Sequence, residues 1–79
     1  MVIKVLGSGC KSCTALADVV QAVADRLGIE ASVEKVTDLN EIMGYGIMTT
    51  PGLVIDEKVK AAGRIPKIEE LERMLTEAQ

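Results

Sequence analysis

The 79-residue chain is 48% apolar and 27% charged, with Tyr45 as its single aromatic residue, which excludes both two domains and a disordered chain. One small domain over residues 1–79 with an aliphatic core is expected. Nine basic against twelve acidic residues give a net charge of -3 with the basic residues scattered singly, so the electrostatic footprint of a nucleic-acid binder is missing.

Residues 2–6 are branched and apolar and run into Gly7-Ser8-Gly9, which reads as a buried strand stopped by a loop. The stretch is broken by Lys4 and is far shorter than a signal-peptide core or the ~20 residues of a membrane span. A cytoplasmic monomer without membrane attachment is therefore expected. Leu16, Val20, Val23 and Leu27 recur at helical spacing before Gly28, predicting a helix over residues 11–27 with a glycine C-cap. Counting back along that stripe reaches Cys13, while Cys10 falls at the helix start, so one sulfur should be buried and the other exposed.

Ile29, Ala31 and Val33 alternate with Glu30, Ser32 and Glu34, predicting a half-exposed edge strand that ends near Val36. Asp38 followed by Glu41 suggests a capping box for a short helix through Leu39, Ile42 and Met43, terminated by Gly44 and Gly46. Residues 53–55 and 58–62 flank Asp56-Glu57 as an antiparallel hairpin closed by Gly63. Pro66 suits a first helical position, and Ile65, Ile68, Leu71 and Leu75 form the stripe of a final amphipathic helix. The resulting order is βαβαββα, an α/β arrangement with a mixed four-stranded sheet and helices on both faces.

The chemistry lies in Cys10 and Cys13, separated by Lys11 and Ser12, in a chain without histidine. As a staple, so short a loop contributes roughly 2 kcal/mol against about 3 for a 15-residue loop. A zinc site needs four ligands from cysteine and histidine, and only two are present, so no metal site is expected.

Taken together, Gly7-Ser8-Gly9-Cys10-Lys11-Ser12-Cys13, Thr49-Thr50-Pro51-Gly52-Leu53 and Gly63-Arg64 resemble the thioredoxin fold. Within it they resemble the minimal archaeal and bacterial thioredoxin-like and glutaredoxin-like proteins known as redox-active disulfide proteins. The likeness spans essentially the whole chain. It implies a cell-redox, electron-transfer role for a thiol-disulfide oxidoreductase that uses the Cys10-Cys13 disulfide and no other cofactor. Cys10 would attack and Cys13 would resolve the mixed disulfide. The free N-H groups and dipole of a helix start favour a thiolate at Cys10, and Lys11 either adds to this or is simply a solvated side chain.

In such proteins the proline matching Pro51 is cis and packs against the cysteine pair, and the residue matching Thr50 offers its backbone to an extended substrate. Elsewhere a Thr-Pro is only a strand boundary. Gly9 gives a substrate backbone room to approach, or serves an ordinary turn. The partners implied are a disulfide-bearing protein or small thiol, and a reductase or thiol reductant.

The chain departs from thioredoxin in having Gly9 in place of a tryptophan, Lys11-Ser12 in place of Gly-Pro, and Lys4 in place of a buried carboxylate. Lys4 either snorkels to the sheet rim or, with its pKa lowered by desolvation, acts as a base; the former is favoured. Met43, Tyr45, Ile47 and Met48 are either core or, less favoured, an adaptable apolar collar at the redox site. The competing function is a soft-metal chaperone, copper or metalloid, using the same cysteines. Copper domains of that kind run βαββαβ and end in a strand, whereas this chain is expected to end in a helix.

Overall fold

A computed structural model describes residues 1–7 and 11–79. Seven elements follow in the order β1 (Val2–Leu6), α1 (Lys11–Arg26), β2 (Ser32–Val36), α2 (Leu39–Gly44), β3 (Gly52–Ile55), β4 (Lys58–Ala62) and α3 (Ile68–Glu77). The sheet order is β2-β1-β3-β4, with β1 and β2 parallel and the other two pairings antiparallel. This is the mixed four-stranded sheet with three helices expected of a thioredoxin-like fold.

Side-chain alternation along the strands divides the core in two. Ile3 and Val5 of β1 and Leu53 and Ile55 of β3 face α1 and α3, where they meet Cys13, Leu16, Val20, Leu71 and Leu75. Leu6 and Val54 face the other way and pack with Val36, Ile42 and Ile47 beneath α2. Leu71 and Leu75 are fully buried, each stabilising the fold by roughly 1.5–3 kcal/mol relative to exposure. No helix among the described residues is long and apolar enough to cross a membrane.

Local chemistry sets the boundaries, and two of them differ from the sequence expectation. Gly28 ends α1 in the left-handed region, with φ 70. The Gly28 N-H donates to the Asp25 carbonyl and the Ile29 N-H to that of Ala24, the paired bonds of a Schellman cap. Ile29 therefore belongs to the helix cap, and β2 begins only at Ser32 although the Ile29 side chain is buried.

The final helix starts at Ile68, not Pro66. Lys67 is its extended N-cap, and the Glu70 carboxylate accepts from the Lys67 N-H at 3.3 Å. Pro66 thus precedes the helix as a buried residue. Ile65 and Ile68, expected on the buried stripe, are 43% and 49% exposed because one lies before the helix and the other in its first turn. Asp38 caps α2, accepting from the Asn40 and Glu41 N-H groups at 2.8 and 3.2 Å, but the return bond from the Glu41 side chain that would complete the expected capping box is not formed among the described residues.

Candidate active site

Cys13 sits in the first turn of α1, at the N-terminal end of its buried stripe, and is 5% exposed. Its sulfur is disulfide-bonded. Gly7, just past β1, packs against it. A Cβ built on Gly7 would collide with the Cys13 Sγ, come within 3.0 Å of the Cys13 Cβ and lie 3.9 Å from the Thr50 Cβ. Gly7 is also pinned by its own N-H, which donates to the Val36 carbonyl at 2.9 Å. The end of β1 therefore packs against the first turn of α1 at the Cys13 sulfur, with Thr50 beside Gly7.

The Thr50-Pro51 peptide is cis. Pro51 is buried, and its carbonyl accepts from the Gly63 N-H at 2.8 Å, which ties the segment before β3 to the turn after β4. Gly63 has φ 76, and a Cβ there would lie 2.6 Å from the Thr49 Oγ1, so only glycine meets both demands. Beneath the same segment a Cβ on Gly52 would lie 2.5 Å from the Ile47 Cδ1. The proline segment is thus seated on close backbone contacts from two sides.

Beside Thr50 lies an apolar groove of about 210 Å³ lined by Leu39, Ile42, Met43, Ile47 and Met48. Core packing was the favoured expectation for this group, and the structure divides it. Ile42 and Ile47 are buried, while Met43, Leu39 and Met48 are 56%, 67% and 92% exposed. The methionines form the rim of the groove and Tyr45 is half-buried behind it.

Lys4 belongs to the α2 face, since it alternates with Ile3 and Val5. Its Nζ donates to the Glu57 Oε1 at 2.7 Å and to the Tyr45 hydroxyl at 2.9 Å, and that hydroxyl donates to the Glu57 Oε2 at 3.1 Å. The Glu57 hydrogen bond, then that of Tyr45, hold the ammonium above the ordinary lysine range and outweigh burial. The alternative in which Lys4 becomes a base through a lowered pKa is thereby overturned, and the favoured reading of a lysine reaching the sheet rim stands. Glu57 is held correspondingly below the usual carboxylate range by its hydrogen bond to Lys4.

Lys11 is exposed and makes no ion pair or hydrogen bond among the described residues. Cys10 and Gly9, expected to attack and to admit substrate, lie outside the described residues. Sequence reasoning missed Glu57, whose partner Lys4 is 53 positions away, and it missed Gly63 as a partner of Thr49.

Comparison with known proteins bears on the same region. Residues 1–76 match the family model for the thioredoxin domain. A protein named thioredoxin from Methanocaldococcus jannaschii is 37% identical over 75 residues, covering 95% of this chain and 86% of that protein. Another named thioredoxin, from Methanothermobacter thermautotrophicus, is 33% identical over 76 residues, covering 96% of this chain and 99% of that protein.

Proposed function

The chain belongs to the thioredoxin domain family, and from that membership we propose that it exchanges disulfides through Cys10 and Cys13, reducing protein or small-molecule disulfides. The observation that best supports this reading is the close packing of Gly7 against the Cys13 sulfur in the first turn of α1, with Thr50 of the cis Thr50-Pro51 segment beside Gly7. In the reducing direction the Cys10 thiolate attacks one sulfur of the substrate disulfide. The S–S bond breaks, one substrate thiolate leaves and a mixed disulfide forms. Cys13 then attacks the Cys10 sulfur, releasing the second substrate thiol and closing the Cys10-Cys13 disulfide. Two electrons have passed to the substrate, and its two sulfurs leave as thiols. A thiol reductant reverses the sequence on the protein. Cytoplasmic placement favours the reducing direction.

Thr50 and Pro51 would take the backbone of an extended substrate, with the Met43 and Met48 rim meeting its apolar side chains. Methionines suit varied partners because the thioether is polarisable and its chain adapts. The soft-metal alternative is weakened by the element order, which ends in α3 where the copper domains end in a strand.

Paired cysteine variants test the proposal. Cys10→Ser should abolish insulin reduction by dithiothreitol in the presence of the protein. Cys13→Ser should trap partners from a lysate as mixed disulfides, because it keeps the attacking thiolate and loses the resolving thiol. Equal trapping by the two variants would defeat the assignment of roles.

A further inference from the structure

We infer that Tyr45 is a positioning residue for the exchange reaction: its hydroxyl, held by Lys4 and Glu57, sets where the segment from Tyr45 to Pro51 presents Met48 and Thr50. The inference rests on the exchange reading above and adds a determinant of substrate docking on the face of the sheet away from Cys13.

Three sequence-distant pieces meet at that hydroxyl. Lys4 comes from the middle of β1, Tyr45 from the C-cap of α2, and Glu57 from the turn between β3 and β4. Lys4 Nζ also lies 5.6 Å from the centre of the Tyr45 ring. Directly after Tyr45 comes Gly46, with φ 80, whose N-H donates to the Met43 carbonyl. From this pivot the chain runs through the buried Ile47 and the exposed Met48 to Thr50 and Pro51. The segment is therefore fastened at Ile47 by the core and at Pro51 by Gly63. At its outset, where α2 ends, the Tyr45 N-H donates to the Ile42 carbonyl and the hydroxyl adds the side-chain fastening. A shift of Tyr45 would move the exposed end of α2 and the Met43 and Met48 rim together.

The turn itself shows that Glu57 is present for its side chain. Asp56 and Glu57 both have positive φ, 47 and 68, in a two-residue hairpin where Asp-Gly is the favoured pair. Asp56 has a local use, since its Oδ1 accepts from the Val2 N-H at 2.9 Å. Glycine would meet the conformation of Glu57 without strain, so a glutamate there is at a backbone disadvantage. What it supplies instead is the carboxylate that holds both Lys4 and Tyr45.

The test uses insulin reduction with dithiothreitol as reductant and two variants, Tyr45→Phe and Glu57→Gly. The first removes only the hydroxyl; the second removes the carboxylate while relieving the backbone. Each should raise the KM for insulin roughly three- to tenfold, the range of one or two lost hydrogen bonds. The kcat and the rate at which iodoacetamide alkylates the reduced protein should stay within about twofold, since the cysteine pair is untouched. The urea midpoint of Glu57→Gly should stay within about 1 M of the wild type, because the relieved backbone offsets the lost hydrogen bonds, which separates positioning from loss of fold. Tyr45, the single aromatic residue, reports directly, because its fluorescence should rise in Glu57→Gly when the accepting carboxylate is gone. A wild-type KM in folded Glu57→Gly, or in Tyr45→Phe should Glu57→Gly fail to fold, overturns the inference. A wild-type protein inert toward both insulin and iodoacetamide overturns the exchange reading, and the positioning role with it.

Discussion

Replacing Gly7 by alanine adds one methyl group where there is no room for it. The new carbon would overlap the Cys13 Sγ, which real Cβ contacts do not tolerate, and stand a tight 3.0 Å from the Cys13 Cβ. Neither side yields easily, because Gly7 is held by its hydrogen bond to Val36 and Cys13 is fixed in the first turn of α1. Overpacking of this kind costs about 1–3 kcal/mol, a large share of the roughly 3–5 kcal/mol that a core of this size supplies. With a urea m-value of about 1 kcal/mol/M for a domain this small, the denaturation midpoint should fall by about 1–3 M. Gly44→Ala is the matched control. It lies in α2 with nothing within 4 Å of an added Cβ, so the higher helix propensity of alanine should raise stability by about 0.5–1 kcal/mol. Chemical denaturation of the two variants side by side decides the matter. A Gly7→Ala protein as stable as the wild type would refute the packing of Gly7 against Cys13.

Met48→Ser should raise the KM for insulin while leaving the urea midpoint within about 0.5 kcal/mol of the wild type, because a side chain 92% exposed contributes little to the fold. Asp38→Ala removes the acceptor for two N-H groups at the start of α2 and should destabilise by about 1 kcal/mol, read by the same denaturation assay. Acid should remove the support of Glu57 and Glu70, whose carboxyls are held low by hydrogen bonds to Lys4 and Arg64 respectively. A depressed folded-state pKa gives stability present above the ordinary value of about 4.3 and lost as pH falls through the lowered one. Glu57→Gln should therefore flatten the acid limb of a stability-against-pH curve without altering the limb that Glu70 supplies.

What could be read from the sequence was whatever a local rule controls. The stripe through Leu16, Val20 and Val23 located α1 and the burial of Cys13, Gly28 its cap, and Asp38 the start of α2. Alternation could not decide where β2 begins, because Ile29 is buried through the helix cap rather than through the sheet. Pro66 was ambiguous for a related reason: its fixed φ suits a first helical residue and equally the extended approach to an N-cap. The division of Met43, Ile47 and Met48 between core and rim depends on how the chain turns after Gly46, which hydrophobicity alone does not encode. The partnership of Lys4, Tyr45 and Glu57 depends on the pairing of β1 with β3, which brings the turn after β3 beside β1.

Position 4 shows how the neighbours of a strand residue decide its use. The thioredoxin resemblance implies a buried carboxylate there, and this chain has Lys4. A lysine can accept a proton only when neutral, and pairing with Glu57 favours its charged form. Strand alternation points it toward α2, away from the Ile3 and Val5 face on which Cys13 lies. The ammonium is thus committed to the tyrosine and the carboxylate. Through Tyr45 that commitment fixes the segment leading to Thr50 and Pro51, so a change at Lys4 should register in substrate docking before it registers in thiol chemistry.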